Sequence, residues 1–309
     1  MSTSNTKANA PVHIGNIEII FRDTTPIEKS NYPGFNPSSY VLPKGSVHRD
    51  GGMPLLCDIQ VDQDVAIKLR DGVTIYTDVY RPVDGKNCPA IVSWSPYGKR
   101  GGILNLDRFG HPTRMDVDPS QEDGLNKFEA VNPAYWCAHG YAVITPDSRG
   151  IFMSEGDIYA YGPQEAEDEY DMIEWAAAQP WSNGKVGTAG NSWLATSQWG
   201  VAALRPPHLA AIAPWEGVSD RYRDHSCRGG IPEFVFGEGI FKSLCGKTRI
   251  EDVPAMLRKY PLYNAYWDSK RPKVEDIDMP AYVVGSWTNI LHTHGTMRGW
   301  RGMSSKQKW

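Results

Sequence analysis

The sequence predicts an α/β fold: a mostly parallel sheet flanked by helices. Three observations carry this expectation. Five short apolar runs, at 89–94, 141–145, 186–189, 209–213 and 281–285, do not alternate with polar residues. Strands of that kind are buried on both faces, as in a parallel sheet. Helical stretches lie between them, and strand alternating with helix is the pattern of parallel crossover units. Finally, residues 185–195 read as a short buried strand, a sharp turn with Ser192 at its tip, and a helix.

Taken in order, residues 1–60 are polar and punctuated by Pro26, Pro33, Pro37 and Pro43, which predicts an irregular N-terminal arm. The α/β domain is expected over 61–309. In its first hairpin Ile75, Thr77 and Val79 alternate with Tyr76, Asp78 and Tyr80, and Asp71-Gly72 supplies the turn. Residues 99–135 lack periodicity and read as a long loop near the site. Residues 165–179 form a helix with Tyr170, Ile173 and Ala177 on its packed side, ending at Pro180. Its acids Glu165, Glu167, Asp168, Glu169 and Asp171 read as a solvated face. The Asn183-Gly184 turn leads into the strand at Val186, and a helix follows over 197–204. Residues 220–278, with a helical piece at 253–260, read as a small lid inserted over the sheet.

Composition narrows the function classes. The chain has 309 residues, 22% of them charged, and a formal net charge of −4, without a block of Lys or Arg. The electrostatic footprint of a nucleic-acid partner is missing. The five cysteines are widely spaced and include no Cys-x-x-Cys. This argues against a disulfide framework or zinc site and fits a reducing compartment. No basic-then-apolar leader opens the sequence and no apolar run reaches the roughly 18 residues that cross a bilayer. A cytoplasmic protein without a membrane partner is expected. The eleven Trp and fifteen Tyr fit packing, or an aromatic-lined pocket for an apolar acyl group.

The chemistry centres on Ser192. A serine hydroxyl is a poor nucleophile unless it is exposed, served by a base and flanked by donors for the oxyanion. The turn Gly190-Asn191-Ser192 exposes it as the nucleophile elbow of α/β-hydrolases does, and the Trp193 N–H would face the developing oxyanion. Leu194 fills the fifth position, so the full Gly-x-Ser-x-Gly pattern is not met. The competing reading is a serine that caps a helix.

Four segments make the chain resemble the CocE/NonD hydrolases and the Xaa-Pro dipeptidyl-peptidase-like proteins related to them. They are Asp71-Gly72-Val73 through Arg81-Pro82, Ser95 through Lys99, Asp147-Ser148-Arg149-Gly150 with Ser154-Glu155-Gly156, and Trp181 through Leu194. The resemblance covers roughly residues 65–300. It implies an α/β-hydrolase fold with a helical cap and a C-terminal jelly-roll; this chain has room for the first two. It also implies Ser192 as nucleophile, with the Tyr97 hydroxyl and the Trp193 N–H as oxyanion donors. Trp193 replaces the usual tyrosine and Ala195 the usual glycine. Asp147, Arg149 and Gly150 read as structural.

The rest of the triad is harder to find. At the place of the family's aspartate the segment reads Ser286-Trp287-Thr288-Asn289, so Asn289 takes that position. An amide can orient a histidine but does not stabilise imidazolium as an anion does. The resemblance places the histidine one strand later, past Trp309. His292 and His294 are the nearest base candidates, although a packing role suits both better, and they lack a third ligand for a metal. His139 reads as a helix terminus, and His225 lies in the lid within reach of the pocket. Asp220 and Asp224 read as partners of nearby arginines; the alternative, from the resemblance, is binding of a substrate ammonium.

Two expectations follow. One is a serine hydrolase of acyl esters or amides (esterase, acylase or Xaa-Pro dipeptidyl-peptidase type), acting on a small molecule or short peptide through a Ser192 acyl-enzyme without a cofactor or metal. The other is a truncated or non-catalytic hydrolase-fold chain that lacks its triad histidine.

Overall fold

The computed structural model describes residues 11–104 and 117–309. Seven strands form one mixed sheet: β1 (Ser38–Leu42), β2 (Ile59–Lys68), β3 (Thr74–Pro82), β4 (Cys88–Val92), β5 (Ala142–Asp147), β6 (Ser182–Asn191) and β7 (Leu209–Trp215). Their spatial order is β7-β6-β4-β5-β3-β2-β1. The four from β7 to β5 are mutually parallel, and β3, β2 and β1 add on antiparallel. Beyond β7, Ala281 and Val284 pair in parallel with Ile212 and Trp215, and Ala281 pairs in turn with Lys308. The mostly parallel α/β sheet is thus present, and all six residues of β5 are buried.

Helices α1 (Pro133–Ala138), α2 (Pro163–Ala177) and α3 (Trp193–Ala203) flank it. α1 and α2 each begin with a proline in the first turn, and Asn132 caps α1 by accepting the Ala134 N–H at 2.9 Å. The core under α2 and α3 is built on Trp94, Ile144, Met172, Ile173 and Trp199. Between β7 and residue 281 lie a π-helical turn (Arg221–Ser226) and α4 (Val235–Ser243), α5 (Val253–Lys259) and α6 (Ala265–Asp268). α7 (Thr293–Gly302) follows the 281–284 pairing segment.

Two expectations are corrected. The N-terminal arm is not irregular throughout. Residues 38–42 are β1, and Phe21–Asp23 pairs antiparallel with Arg249–Glu251 of the insertion. Ile17 and Ile19 share a core with Phe241, Ile250 and Met256, so arm and insertion pack as one layer. That pairing spans more than 200 residues, which no local pattern signals. The acid run on α2 is likewise not a solvated face. Glu165, Asp168 and Glu169 are buried. Asp168 takes both Nε and Nη2 of Arg149 at 2.7 Å, and Glu165 accepts the Trp193 indole N–H at 2.7 Å. Charged residues enter a core when their partners enter with them, and the partners of Asp168 and Glu165 lie 19 and 28 residues away in sequence.

A buried ion cluster pins the loop after β4. Lys99 contacts Asp147 at the end of β5 and lies 2.9 Å from Asp64. Arg100 reaches Asp64 at 2.5 Å and Asp78 at 2.9 Å. Gly98 allows the approach: a Cβ there would sit 2.2 Å from the Phe152 ring. The consequence is a fixed position for Tyr97. Part of the loop expected over 99–135, residues 105–116, lies outside the described residues.

Candidate active site

Five of the groups that meet at the site follow the carboxyl ends of parallel strands, where open α/β sheets bind their ligands. Tyr97 follows β4, Ser192 follows β6, Glu216 follows β7, and Asn289 and His292 follow the 281–284 segment.

Ser192 has φ 57° and ψ −110°, a strained conformation for a residue with a side chain. Two features hold it there. Its N–H donates to the Trp215 carbonyl at 3.0 Å, and its own carbonyl accepts the Thr196 N–H of α3 at 2.9 Å. The turn needs Gly190, because a Cβ there would lie 2.5 Å from the Leu194 Cβ. No side-chain cap is made by Ser192, so the helix-capping alternative is not the arrangement found. Strand, strained serine and helix reproduce the geometry of a nucleophile elbow.

His292 Nε2 lies 3.2 Å from Ser192 Oγ. The chain therefore brings one of its two base candidates to the serine from 100 residues away, against the expectation of a packing role. His294, the second residue of α7, is not brought there. It points outward and bonds Asp224 through Nδ1 at 2.8 Å. His139 ends α1 and bonds the Tyr135 carbonyl. Asp220 pairs with Arg223 at 2.7 Å and Asp224 with Arg298 at 3.0 Å, the arginine partnership expected of both.

Asn289 does stand behind the histidine, with Nδ2 at 3.2 Å from His292 Nδ1. Its orientation is set by two other bonds. Nδ2 donates to Glu216 Oε2 at 2.6 Å, and Oδ1 accepts the Leu291 N–H at 3.0 Å. The amide thus offers N–H to Nδ1. A neutral ring that accepts at Nδ1 carries its proton on Nε2, facing Ser192. That tautomer donates to the serine hydroxyl and has no lone pair there to take its proton. Burial, opposed by the Glu216 charge, pulls the His292 pKa down to about 4. The histidine is therefore neutral at pH 7.

Two acidic residues were not singled out in the sequence. Glu216 has φ 60° directly after β7, and its carboxylate also accepts the Ser286 N–H at 2.7 Å. Glu129 comes from the aperiodic loop before α1. Its backbone, at φ 61°, accepts the Asn191 N–H at 2.8 Å, which fixes the loop to the elbow. Its carboxyl faces the Ser192 hydroxyl, the Trp193 N–H and Tyr97. Burial pushes its pKa up to about 8, against the pull of those three donors. The two groups expected as oxyanion donors thus converge, and an internal carboxyl lies where they converge. No spacing rule marks a loop glutamate for this; its φ and its contact with the elbow exist only in the fold.

The sign of the pH effect follows. Below about pH 8 Glu129 is a neutral acid, and above it a carboxylate that competes with a developing oxyanion for Tyr97 and the Trp193 N–H. Reaction of Ser192 with an acylating or phosphonylating reagent is expected to fall as pH rises through 8. Glu129→Gln should remove that fall. A rate that instead rises above pH 8 and is lost in Glu129→Gln would make Glu129 the base.

The cavity over Ser192 is nearly closed. Its volume is about 10 Å³, room for roughly one water molecule. Tyr161, Thr196 and Val218 line both it and a second cavity of about 430 Å³ that runs along α3 to residues 268–276. Among the described residues no three His, Cys, Asp or Glu side chains are grouped to hold a metal ion. None of the described helices is long and apolar enough to cross a membrane.

Comparison with known proteins bears on the family and the fold. The family model of the X-Pro dipeptidyl-peptidases (S15 family) matches residues 71–248. The cocaine esterase of Rhodococcus sp. (strain MB1 Bresler) is 33% identical over 163 residues, 53% of this chain and 25% of that protein. An Xaa-Pro dipeptidyl-peptidase of Lactobacillus helveticus (strain DPC 4571) is 26% identical over 265 residues, 70% of this chain and 32% of that one. The crystal structure of a CocE/NonD family hydrolase from Staphylococcus aureus superposes with a TM-score of 0.79 at 29% identity. That superposition covers 99% of this chain and 51% of the other. The chain thus spans about half the length of that hydrolase, and less of the two curated relatives.

Proposed function

The chain belongs to the X-Pro dipeptidyl-peptidase (S15) family of hydrolases, and from that premise we propose a serine hydrolase of acyl esters or amides that acts through an acyl-enzyme on Ser192. The observation that carries this is the strained Ser192 with His292 at 3.2 Å on one side and the Tyr97 and Trp193 donors on the other. In the proposed reaction Ser192 Oγ attacks the acyl carbon and its proton passes to His292 Nε2. The Trp193 N–H and the Tyr97 hydroxyl hold the oxyanion, and the protonated imidazole then returns the proton to the leaving alcohol or amine. Water repeats the sequence to release the acid. The proposed substrates are small esters, small amides or short peptides, including those with a penultimate proline.

This chemistry requires His292 to carry its proton on Nδ1 during the attack. Asn289 Nδ2 stands 3.2 Å from Nδ1 and favours the Nε2 tautomer, and that one contact favours the second reading, a non-catalytic hydrolase-fold chain. Labelling of the 309-residue chain with a fluorophosphonate probe separates the two. Under the hydrolase reading Ser192 is labelled and Ser192→Ala abolishes labelling. A folded chain that is not labelled, or a Ser192→Ala variant labelled equally, supports the non-catalytic reading.

A further inference from the structure

The two donors proposed for the oxyanion arrive on separate stretches of chain. Tyr97 comes from the loop after β4, and the Trp193 N–H from the first residue of α3. Such donors work when they are held in place before charge develops. The elbow fixes one of them, and the Lys99 cluster fixes the far side of the other's loop. One further side chain touches both stretches, and the proposed proton transfers do not use it.

Glu165 is the third residue of α2 and is buried. A glutamate at this place commonly reaches back to a backbone N–H at the start of its own helix. Oε2 does so, accepting the Tyr161 N–H at 2.7 Å. Oε1 has different partners. It accepts the Trp193 indole N–H at 2.7 Å and the Trp94 indole N–H at 3.3 Å. Trp94 precedes Tyr97 in the same loop. One carboxyl oxygen therefore ties the loop that carries one donor to the residue that supplies the other. Both indoles are buried, so loss of this acceptor would leave two buried N–H groups unpaired.

The contacts around the Trp193 ring extend this hold. Its face stacks on Tyr161, with ring centroids 4.0 Å apart and 28° between the planes. Tyr161 has φ 54°, a costly conformation for a residue with a side chain, and its N–H is the one that Glu165 Oε2 takes. The Trp193 ring meets Tyr97 edge-on, at 6.2 Å and 81°. The indole is thus gripped at its N–H and on its face, and it braces Tyr97. Burial raises the Glu165 pKa to about 7 against the pull of its donors, and in either charge state an oxygen remains to accept.

We propose that Glu165 is the positioning residue of the oxyanion hole: through the indoles of Trp94 and Trp193 it sets where the Tyr97 hydroxyl and the Trp193 N–H stand relative to Ser192. It touches no reacting atom and acts through those rings. The inference rests on the hydrolase reading for what the two donors do, and on the geometry alone for what holds them.

Time courses of fluorophosphonate labelling at several probe concentrations, at pH 7, separate the bonding step from probe binding. Glu165→Leu is expected to slow the bonding step about tenfold or more, short of the roughly 10²–10³-fold cost of deleting an oxyanion donor, and to leave probe binding unchanged. Glu165→Gln should keep most of the rate, because its amide oxygen still accepts from the indoles. Trp193→Phe keeps the backbone donor and loses the indole contact. It should slow bonding in the same way, and adding Glu165→Leu to it should cost less than in the wild type. Should Glu165→Leu fail to fold, Trp193→Phe and Glu165→Gln carry the comparison. A bonding step equal to the wild type's in Trp193→Phe, or in a folded Glu165→Leu chain, overturns the proposal. A second measurement needs no turnover. In NMR spectra of the isotope-labelled Ser192→Ala chain, Glu165→Leu should move the Trp193 backbone amide resonance, and Glu165→Gln should move it much less. An amide left in place by Glu165→Leu overturns the proposal. A wild-type chain that is not labelled removes the hydrolase reading, and the amide resonance then decides the positioning by itself.

Discussion

Replacing Asn289 by aspartate is expected to raise the rate of Ser192 labelling by about 10²-fold or more. In the wild-type arrangement the amide of Asn289 donates to both Glu216 and His292 Nδ1, which keeps the imidazole proton on Nε2. An aspartate in the same place accepts at Nδ1. The imidazole proton then moves to Nδ1, and the Nε2 lone pair faces the Ser192 hydroxyl at 3.2 Å. In a serine protease the opposite change, carboxylate to amide, costs about 10⁴-fold for this reason. The new carboxyl would also lie beside Glu216, and two carboxyls in contact share one proton. Glu216→Gln in the Asn289→Asp background removes that competition and should raise the rate further. The measurement is the second-order rate constant of fluorophosphonate labelling near pH 7. An Asn289→Asp rate equal to that of the wild type would mean that the tautomer of His292 does not limit the serine.

The second large effect concerns the ion cluster beneath Tyr97. Lys99→Met should destabilise the chain by about 3–5 kcal/mol, because it leaves buried carboxylates without their cation. Lys99 has no exposed side-chain surface, and neither does Asp64; Asp147 loses the only ion-pair contact it has among the described residues. Arg100 remains for Asp64 and Asp78. Burial pushes the Asp147 pKa up against the pull of Lys99, so without Lys99 its carboxyl should take up a proton. With stabilities of 5–15 kcal/mol for folded domains, such a loss is a large fraction of the whole. The midpoint of urea unfolding should fall markedly at pH 7 and less at acidic pH, where the orphaned carboxyl is neutral. An unchanged midpoint would show that the cluster carries no net stability. The same variant frees the loop that holds Tyr97, so its labelling rate should also drop.

Much of the molecule could be read from the chain alone, for a local reason in each case. Non-alternating apolar runs such as 141–145 are buried on both faces, and β5 is. Asp71-Gly72 closes the β2–β3 hairpin, where Gly72 has φ 89° and the Asp71 carboxylate accepts the Val73 N–H. The elbow at Ser192 needs only a strand, a small residue at Gly190 and a helix within eleven residues. These features are decided over one or two turns of chain, so their signals are in the sequence.

What only the tertiary structure decided is which distant groups meet. His292 and His294 have the same local sequence context, yet the register of α7 turns His292 to the serine and His294 to Asp224. Glu129 faces the oxyanion donors because a loop carbonyl bonds Asn191 across the elbow. The acids of α2 looked solvated because an acidic run carries no sign of the Arg149 and Trp193 that accompany it into the core. In each case the energy that places the charge is a pair interaction across tens to hundreds of residues. A hydrogen bond or ion pair is worth forming only where both partners arrive, and that is a property of the folded chain.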